Sequence, residues 1–139
     1  MAKSTAFNVT QNIRFATGQI LPADTTTKKT IYTAGVDDAV LKTLHCTSTD
    51  TAAMNVQLWV NDGAADRLVG TINVPANSGN NGTAPSVDML SGTAIPGLGF
   101  DQNGKRILML KAGALVKVAV LVTVTAAKQI DFFGAAEEY

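Results

Sequence analysis

Apolar side chains recur at every second residue in several segments of this sequence. Residues 54–61 place Val56, Leu58 and Val60 at alternate positions, and residues 115–125 carry a valine at every even position from 116 to 124. Successive side chains of a β-strand point to opposite faces, so a period of two residues predicts strands rather than helices. Both segments are therefore predicted to be β-strands with one buried face.

Turn-forming residues separate these segments from further short strands. The turn Asn61-Asp62-Gly63 leads into residues 67–74, and this arrangement predicts a β-hairpin. Residues 115–125 are apolar on both faces, which predicts a central strand that is covered on both sides. Further strands are predicted at residues 31–33, 39–47, 106–111 and 130–133. No stretch longer than about one turn has helical periodicity, so the predicted fold is all-β, a single β-sandwich or jelly-roll-like domain.

The first thirty residues differ in character from the rest of the chain. Their apolar side chains are isolated among small and polar ones. This pattern predicts an extended N-terminal arm over residues 1–30, with at most one or two short strands, and a sandwich domain over residues 31–139. Purely disordered tails are poor in aromatic residues. Phe7, Phe15 and Ile20 are therefore expected to dock the arm on a partner.

Residues 76–100 form a long connection that is rich in glycine, asparagine and proline. Such density makes regular structure improbable, apart from a single helical turn that is predicted within residues 85–90. A long connection inside a compact domain is usually functional or crosses between sheets. Pro96, Leu98 and Phe100 in this connection are therefore further candidates for partner contact.

The charge composition favours a subunit of an assembly. Charged residues make up 16% of the chain, against a typical value of about 25%. Eleven basic and eleven acidic residues give a formal net charge of zero. A near-neutral protein tends to associate because self-repulsion is weak. Basic residues that are spread along the chain and balanced by acids disfavour a nucleic-acid partner.

The sequence also indicates where the chain is made. Cys46 is the only cysteine, so no intrachain disulfide is expected. The N-terminal residues lack the apolar core of a signal peptide. The longest apolar run, residues 115–124, is about half of the ~20 residues that a membrane-spanning helix needs, and Lys117 interrupts it. We expect a soluble protein that is made in the cytoplasm and has no membrane partner.

The sequence offers no constellation of catalytic residues. His45 and Cys46 are adjacent in a predicted strand, so their side chains point to opposite faces and do not form a nucleophile pair. Residues 61–66 supply only three oxygen ligands, fewer than a calcium loop requires. We therefore expect no catalytic residue, no metal, no cofactor and no enzymatic activity. Trp59 fits packing or a subunit contact better than stacking on a sugar or nucleobase.

Several segments of the chain resemble small virion proteins of tailed bacteriophages. The resemblance covers roughly residues 38–130 and is carried by scaffold segments rather than by catalytic motifs. These segments are LKTLHCTSTDT (41–51), NVQLWVNDG (55–63), LVGTINVPANSG (68–79), PGLGFD (96–101) and VTVTAAK (122–128).

What this resemblance implies is a structural virion protein, most similar to head decoration (capsid cement) proteins. Such proteins often form trimers at the local three-fold axes of the shell, with a β-sandwich or jelly-roll-like body and a terminal arm. The implied partners are the major capsid protein and, in a homotrimer, the chain itself. The implied location is the capsid surface of the virion, after synthesis in the host cytoplasm. The candidate partner-contact residues are Phe7, Phe15, Ile20, Trp59, Pro96, Leu98 and Phe100.

The same residues also fit other functions. A tail, neck or fibre-associated component of the same virion would carry the same scaffold segments, and copy number per particle separates it from a decoration protein. A carbohydrate-binding β-sandwich with Trp59 as its stacking platform is an alternative from a different class. A metal-dependent hydrolase is the least favoured interpretation.

Overall fold

The structure is a computed structural model and describes residues 12–139. This part of the chain forms ten β-strands and a three-residue 3-10 helix at Pro22–Asp24. The strands are β1 (Asn12–Ile20), β2 (Lys29–Thr33), β3 (Ala39–Ser48), β4 (Met54–Asn61), β5 (Asp66–Val74), β6 (Val87–Asp88), β7 (Gly99–Phe100), β8 (Arg106–Leu110), β9 (Leu115–Val120) and β10 (Ile130–Glu138).

The strands form two antiparallel sheets, which confirms the predicted all-β sandwich. The first sheet has the order β1-β10-β3-β8-β7, and β6 also pairs with β3. The second sheet has the order β2-β9-β4-β5. Neighbours in each sheet are mostly distant in sequence, so the fold depends on long-range pairing.

The core lies between the sheets and is almost entirely aliphatic. Alternate residues of the long strands point into it, as the two-residue period predicts. Burial of apolar surface contributes roughly 25 cal/mol per Å² and is the main stabilising contribution here. The largest fully buried side chains are Ile20, Leu41, Leu44, Leu58, Met89, Ile130, Val56, Val74, Val116, Val118, Val120 and Asp50.

β10 lies between β1 and β3 in the first sheet. It pairs with β1 in an unbroken register and with β3 along its whole length, with one irregularity between Ala135 and Ala136. Gly134 allows this pairing, because a Cβ atom there would overlap the carbonyl oxygen of Thr43. The strand is longer than the predicted segment 130–133, and it joins the N-terminal strand to the rest of the sheet.

Local patterning predicted most of the remaining strands. The hairpin of β4 and β5 is confirmed, and β9 is central in the second sheet as predicted. β9 ends at Val120, however, so the prediction of a strand to residue 125 is wrong beyond that point. Leu121 and Val122 are exposed, and Val124 returns to the core. The predicted helical turn at residues 85–90 is also wrong, because Val87–Asp88 is β6, paired with β3.

Residues 12–20 of the predicted N-terminal arm belong to the sandwich. They form β1, the edge strand of the first sheet, and Ala16 and Ile20 are completely buried. β2 crosses the expected boundary after residue 30 and pairs with β9. The pattern was hard to detect because the inward positions include the small Ala16 and Gly18, and because the partner strand lies at the other end of the sequence. Residues 1–11, for which the arm stays a prediction, lie outside the described residues.

Asp50 is the only acidic side chain that is completely buried within residues 12–139. Its carboxylate accepts hydrogen bonds from the backbone N–H groups of Ala52 and Thr125, both at 2.9 Å, and from the Thr125 hydroxyl at 3.0 Å. Burial alone would raise the pKa of this carboxyl, but the hydrogen bonds from Thr125 and Ala52 outweigh burial and lower the pKa. The charged carboxylate thus ties the turn after β3 to the segment after β9.

The two isoleucines of β1 give a test of its place in the core. Ile20 is completely buried, whereas Ile13 is 69% exposed on the same strand. We expect Ile20→Ala to lower the free energy of unfolding by about 2–5 kcal/mol, because it leaves a cavity. Ile13→Ala is the matched control and should change it by less than about 0.5 kcal/mol. Urea denaturation measures both, and equal effects would contradict the burial of β1.

The Asp50 carboxylate predicts a pH-dependent contribution to stability. Asp50→Asn should cost roughly 1–3 kcal/mol at neutral pH, because an amide replaces a charged acceptor of three hydrogen bonds. The pKa of the Asp50 carboxyl is lower in the folded state than in the unfolded state. Its contribution to the free energy of unfolding is therefore fully present above the unfolded-state pKa of about 3.9 and is lost as the pH falls through the folded-state pKa. The cost should therefore shrink as pH falls from about 7 to about 3 in urea titrations. Asp37→Asn, at an exposed position, is the control; a pH-independent cost would contradict this role.

Candidate docking surface

The outer face of the first sheet carries side chains in rows that cross its strands. Directly paired residues of antiparallel strands point to the same face, so the register defines these rows. The rows are Thr17, Phe133, His45 and Asp88; then Phe15, Ala135 and Thr43; and then Ile13, Glu137, Val40 and Met109. They lie opposite to the core-facing residues of the same strands.

Large apolar side chains on this side of the sheet are exposed. Ile13, Phe15 and Met109 are 69%, 66% and 70% exposed, and Phe133 is 47% exposed. These four residues are termed the apolar strip. Single exposed apolar residues are common on soluble proteins, whereas several on one sheet face indicate a surface that a partner covers.

Aromatic contacts hold one end of the apolar strip together. The rings of Phe15 and Phe133 are 5.1 Å apart between centroids and tilted by 39°. The ring of His45 lies 5.8 Å from that of Phe133 on the other side. Tilted arrangements at such distances are favourable because the positive ring edge meets the negative ring face. The three rings thus form a continuous aromatic surface across β1, β10 and β3.

Charged side chains lie among the apolar ones. The ammonium group of Lys42 is 3.6 Å from the Asp101 carboxylate and 4.0 Å from the Glu137 carboxylate. The backbone N–H of Lys105 donates to Asp101 and, with further hydrogen bonds and the nearby Lys42, holds the pKa of that carboxyl below its usual value. A cleft of about 470 Å³ lies here, lined in part by Phe100 and Met109. The face therefore combines an apolar surface with fixed charges that give it a preferred orientation of docking.

Apart from Trp59, which lies on the second sheet, the candidate contact residues fall into three groups. Phe15 is exposed in the apolar strip, Phe100 is exposed at the end of β7, and Pro96 is exposed in the loop before β7. Ile20 and Leu98 are buried in the chain's own core, so their side chains are not available to a partner. Phe7 lies outside the described residues.

Sequence reasoning missed Ile13, Phe133 and Met109. Ile13 and Phe15 share a face because they are two residues apart, and this spacing was the available signal for an apolar outer face on β1. The consecutive Phe132 and Phe133 likewise require one exposed ring if the other is buried. No local signal relates Met109 to these residues, because their alignment depends on the register of four strands.

Trp59 lies on the outer face of the second sheet in a polar setting. The ammonium group of Lys28 is 3.8 Å from the ring centroid, and the indole N–H donates to the Gln57 side chain at 3.3 Å. Nearby, Asp66 is 3.1 Å from Lys117 and 3.2 Å from Lys28. Hydrogen bonds from Asn61 and Lys117 lower the pKa of Asp66 to about 2. Side chains of the same chain thus contact both the ring and the indole N–H of Trp59.

The remaining candidates for chemistry have structural surroundings. Cys46 is buried, and burial raises the pKa of its thiol to about 12, so it is not a ready nucleophile. The Asp62 carboxylate accepts hydrogen bonds from the N–H groups of Ala64 and Ala65 and pairs with Arg67. Within residues 12–139, no group of three or more His, Cys, Asp or Glu side chains is placed to hold a metal ion.

No helix in the described part of the chain has the length and apolar character needed to cross a membrane.

The chain is similar in structure to capsid proteins of bacteriophages. One is a chain of the cyanophage Pam1 capsid asymmetric unit, with a TM-score of 0.47 and 15% identity; the match covers 100% of this chain and 94% of that one. Another is a pentameric capsid protein isolated from metagenomic phage sequences, with a TM-score of 0.37 and 17% identity; the match covers 89% of this chain and 59% of that one. A second structure described in the same words, solved by iodide SAD phasing, also has a TM-score of 0.37 and 17% identity, with 67% of that chain covered. No protein-family model and no curated protein matches the sequence.

The contact between Phe15 and Phe133 predicts a measurable coupling. Truncating both residues to alanine in a double-mutant cycle should give a coupling free energy of about 0.5–1.5 kcal/mol, the range for tilted aromatic pairs. Phe133 paired with Leu68, which lies on β5 of the other sheet, is the control and should couple by less than about 0.5 kcal/mol. Urea denaturation of the single and double variants measures both; equal coupling would contradict the aromatic contact.

Proposed function

We propose that this chain is a non-catalytic structural protein of a tailed-bacteriophage virion, which decorates the capsid and stabilises it by bridging major capsid protein subunits. The observation that carries the proposal is the apolar strip on the outer face of the first sheet. The resemblance of residues 38–130 to small virion proteins supports the class of partner.

The size of the outer face supports a specific docking surface. β1, β3 and β10 each have nine or ten residues. With a rise of about 3.4 Å per residue and a strand spacing of about 4.8 Å, these strands and β8 give a projected area of roughly 500 Å². Side chains that protrude increase the accessible area beyond this value. A standard interface buries about 800 Å² on each partner, so a face of this size with its flanking loops is sufficient.

The mechanism of stabilisation follows from selective binding. A protein that binds the assembled shell, and not its free subunits, shifts the equilibrium towards the shell by mass action. If three copies act together, as in the predicted homotrimer, the second and third contacts become intramolecular and the overall affinity rises. If residues 1–11 belong to the predicted N-terminal arm, they would add contacts with the capsid, and Phe7 is the candidate contact residue.

One observation bears on the carbohydrate-binding alternative. A carbohydrate platform requires an open aromatic face, whereas Lys28 lies over the ring of Trp59 at 3.8 Å. A tail, neck or fibre-associated component would use the apolar strip in the same way as a decoration protein does. The number of copies per particle distinguishes these two roles, because decoration proteins are present in far larger numbers.

Co-sedimentation with shells that lack this protein tests the proposal. We expect Phe133→Ser and Met109→Ser each to weaken shell binding by at least about tenfold, because central apolar contacts dominate interface energetics. Leu68→Ser is the matched control, since Leu68 is 49% exposed but lies on the second sheet. It should bind like the parent protein.

Thermal unfolding of each variant establishes that it is folded before binding is measured. Saturation of shells by Phe133→Ser and Met109→Ser at the parent concentration would contradict the assignment of the docking face. Failure of the parent protein to bind shells at all, with binding to isolated tails instead, would contradict the decoration role.

A further inference from the structure

A second cleft, of about 320 Å³, opens beside the apolar strip where β8 begins. Its lining includes three cationic side chains, Lys42, Lys105 and Arg106, together with His45 and one carboxylate, Asp88. Within residues 12–139, neither Lys105 nor Arg106 forms an ion pair. Because Lys42 is paired with Asp101 and Glu137, the positive charges of Lys105 and Arg106 exceed the negative charge of Asp88 in this lining by one.

The guanidinium group of Arg106 is held in place by the loop before β7. Its Nη1 donates hydrogen bonds to the carbonyl oxygens of Pro96 and Leu98, at 3.0 Å and 2.8 Å. Its central carbon lies 4.0 Å from the centroid of the Phe100 ring. Because Nη1 anchors the group, Nε and Nη2 are positioned in advance, and within residues 12–139 they form no hydrogen bond.

Gly92 lies beside these two nitrogen atoms and places no side chain over them. A Cβ atom at this position would lie 2.6 Å from Nε and 3.0 Å from Nη2 of Arg106. The backbone of Gly92 is not in the left-handed region, so its conformation does not itself require glycine. Both residues line the cleft, and a side chain at position 92 would occupy the space beside this edge of the guanidinium group.

We propose that this cleft binds a carboxylate side chain of the protein that docks on the apolar strip, an inference that rests on the proposed function. The Nε and Nη2 edge of a guanidinium group matches the two oxygens of a carboxylate, and Lys105 supplies a second positive charge. The cleft lies between His45, which neighbours Phe133, and Arg106, which stacks on Phe100. An acidic residue flanked by apolar ones is therefore the sequence that this surface fits.

Charge distribution favours a carboxylate over a nucleic-acid phosphate. Asp88 lines the same cleft, and the chain as a whole has a formal net charge of zero. Phosphate backbones are bound through many basic residues acting together, and such a surface is not present here on the described residues. One carboxylate, held by Arg106 and Lys105, matches the local excess of positive charge.

NMR titration of the full chain tests the cleft without shells. The probe is N-acetyl-glutamate amide, and N-acetyl-glutamine amide is its uncharged counterpart. His45 lines the cleft and is the only histidine of the chain, so its ring signals report binding unambiguously at fixed pH. We expect the glutamate probe to shift the signals of His45 and Lys105 in a saturable manner and the glutamine probe to leave them unchanged. Equal shifts with both probes would overturn the proposal.

Two variants with matched controls locate the binding. Gly92→Ala and Lys105→Glu should each weaken glutamate binding by at least about tenfold, through coverage of the guanidinium edge and loss of charge. Gly97→Ala and Lys111→Glu are the controls, because a Cβ at Gly97 meets nothing within 4 Å and Lys111 does not line this cleft. Equal weakening in variants and controls would overturn the site. Tighter binding of inorganic phosphate than of glutamate would overturn the carboxylate assignment.

The shell experiment separates this inference from the proposed function. If glutamate binds the cleft, and Gly92→Ala weakens shell binding while Gly97→Ala does not, both are supported. If the parent protein binds shells but Gly92→Ala binds equally well, the cleft proposal fails and the proposed function stands. If glutamate binds the cleft but the parent protein does not bind shells, the proposed function is wrong. The assignment of the docking partner as the source of the carboxylate is then wrong as well.

Discussion

The pairing of β10 with β1 and β3 is the interaction on which the rest of the first sheet depends. It sets the register that aligns Phe15, Phe133 and His45 on one face while Ile130 and Ile20 fill the core. Because side chains alternate strictly, a shift of one residue would exchange the two faces of the strand. One register therefore determines both which residues fill the core and which lie on the outer surface.

The two outer faces of the sandwich differ in how they meet solvent. On the second sheet, Trp59 is partly covered by Lys28, and Asp66 is paired with two lysines, so polar groups there have partners within the chain. On the first sheet, exposed rings and the Met109 side chain have no such cover in the described residues. The outer face of the first sheet therefore exposes more large apolar side chains, and their removal from water is favourable.

Local patterning was sufficient for parts of the fold and insufficient for others. The hairpin of β4 and β5 was predictable because its alternation and its turn at residues 61–63 are contiguous in sequence. The place of β1 was not, because its partner strand lies at the other end of the sequence and its inward residues include Ala16 and Gly18. The close approach of Gly92 to Arg106 depends on how a loop packs against that side chain. The periodicity of the sequence does not indicate such packing. Some residues of the candidate site, such as Phe15, could therefore be identified from the sequence. Their arrangement in space could not.

The position of β10 also has a consequence for biosynthesis. It is the last strand of the described chain to be translated, yet β1 and β3, which are made much earlier, both require it as a neighbour. Until residues 130–138 emerge, β1 and β3 lack the neighbour between them, and such unpaired strand edges favour aggregation. A polypeptide that is interrupted before residue 130 can neither close the first sheet nor align its aromatic rows. Formation of the first sheet, and of the aromatic surface on its outer face, is therefore coupled to the synthesis of residues 130–138.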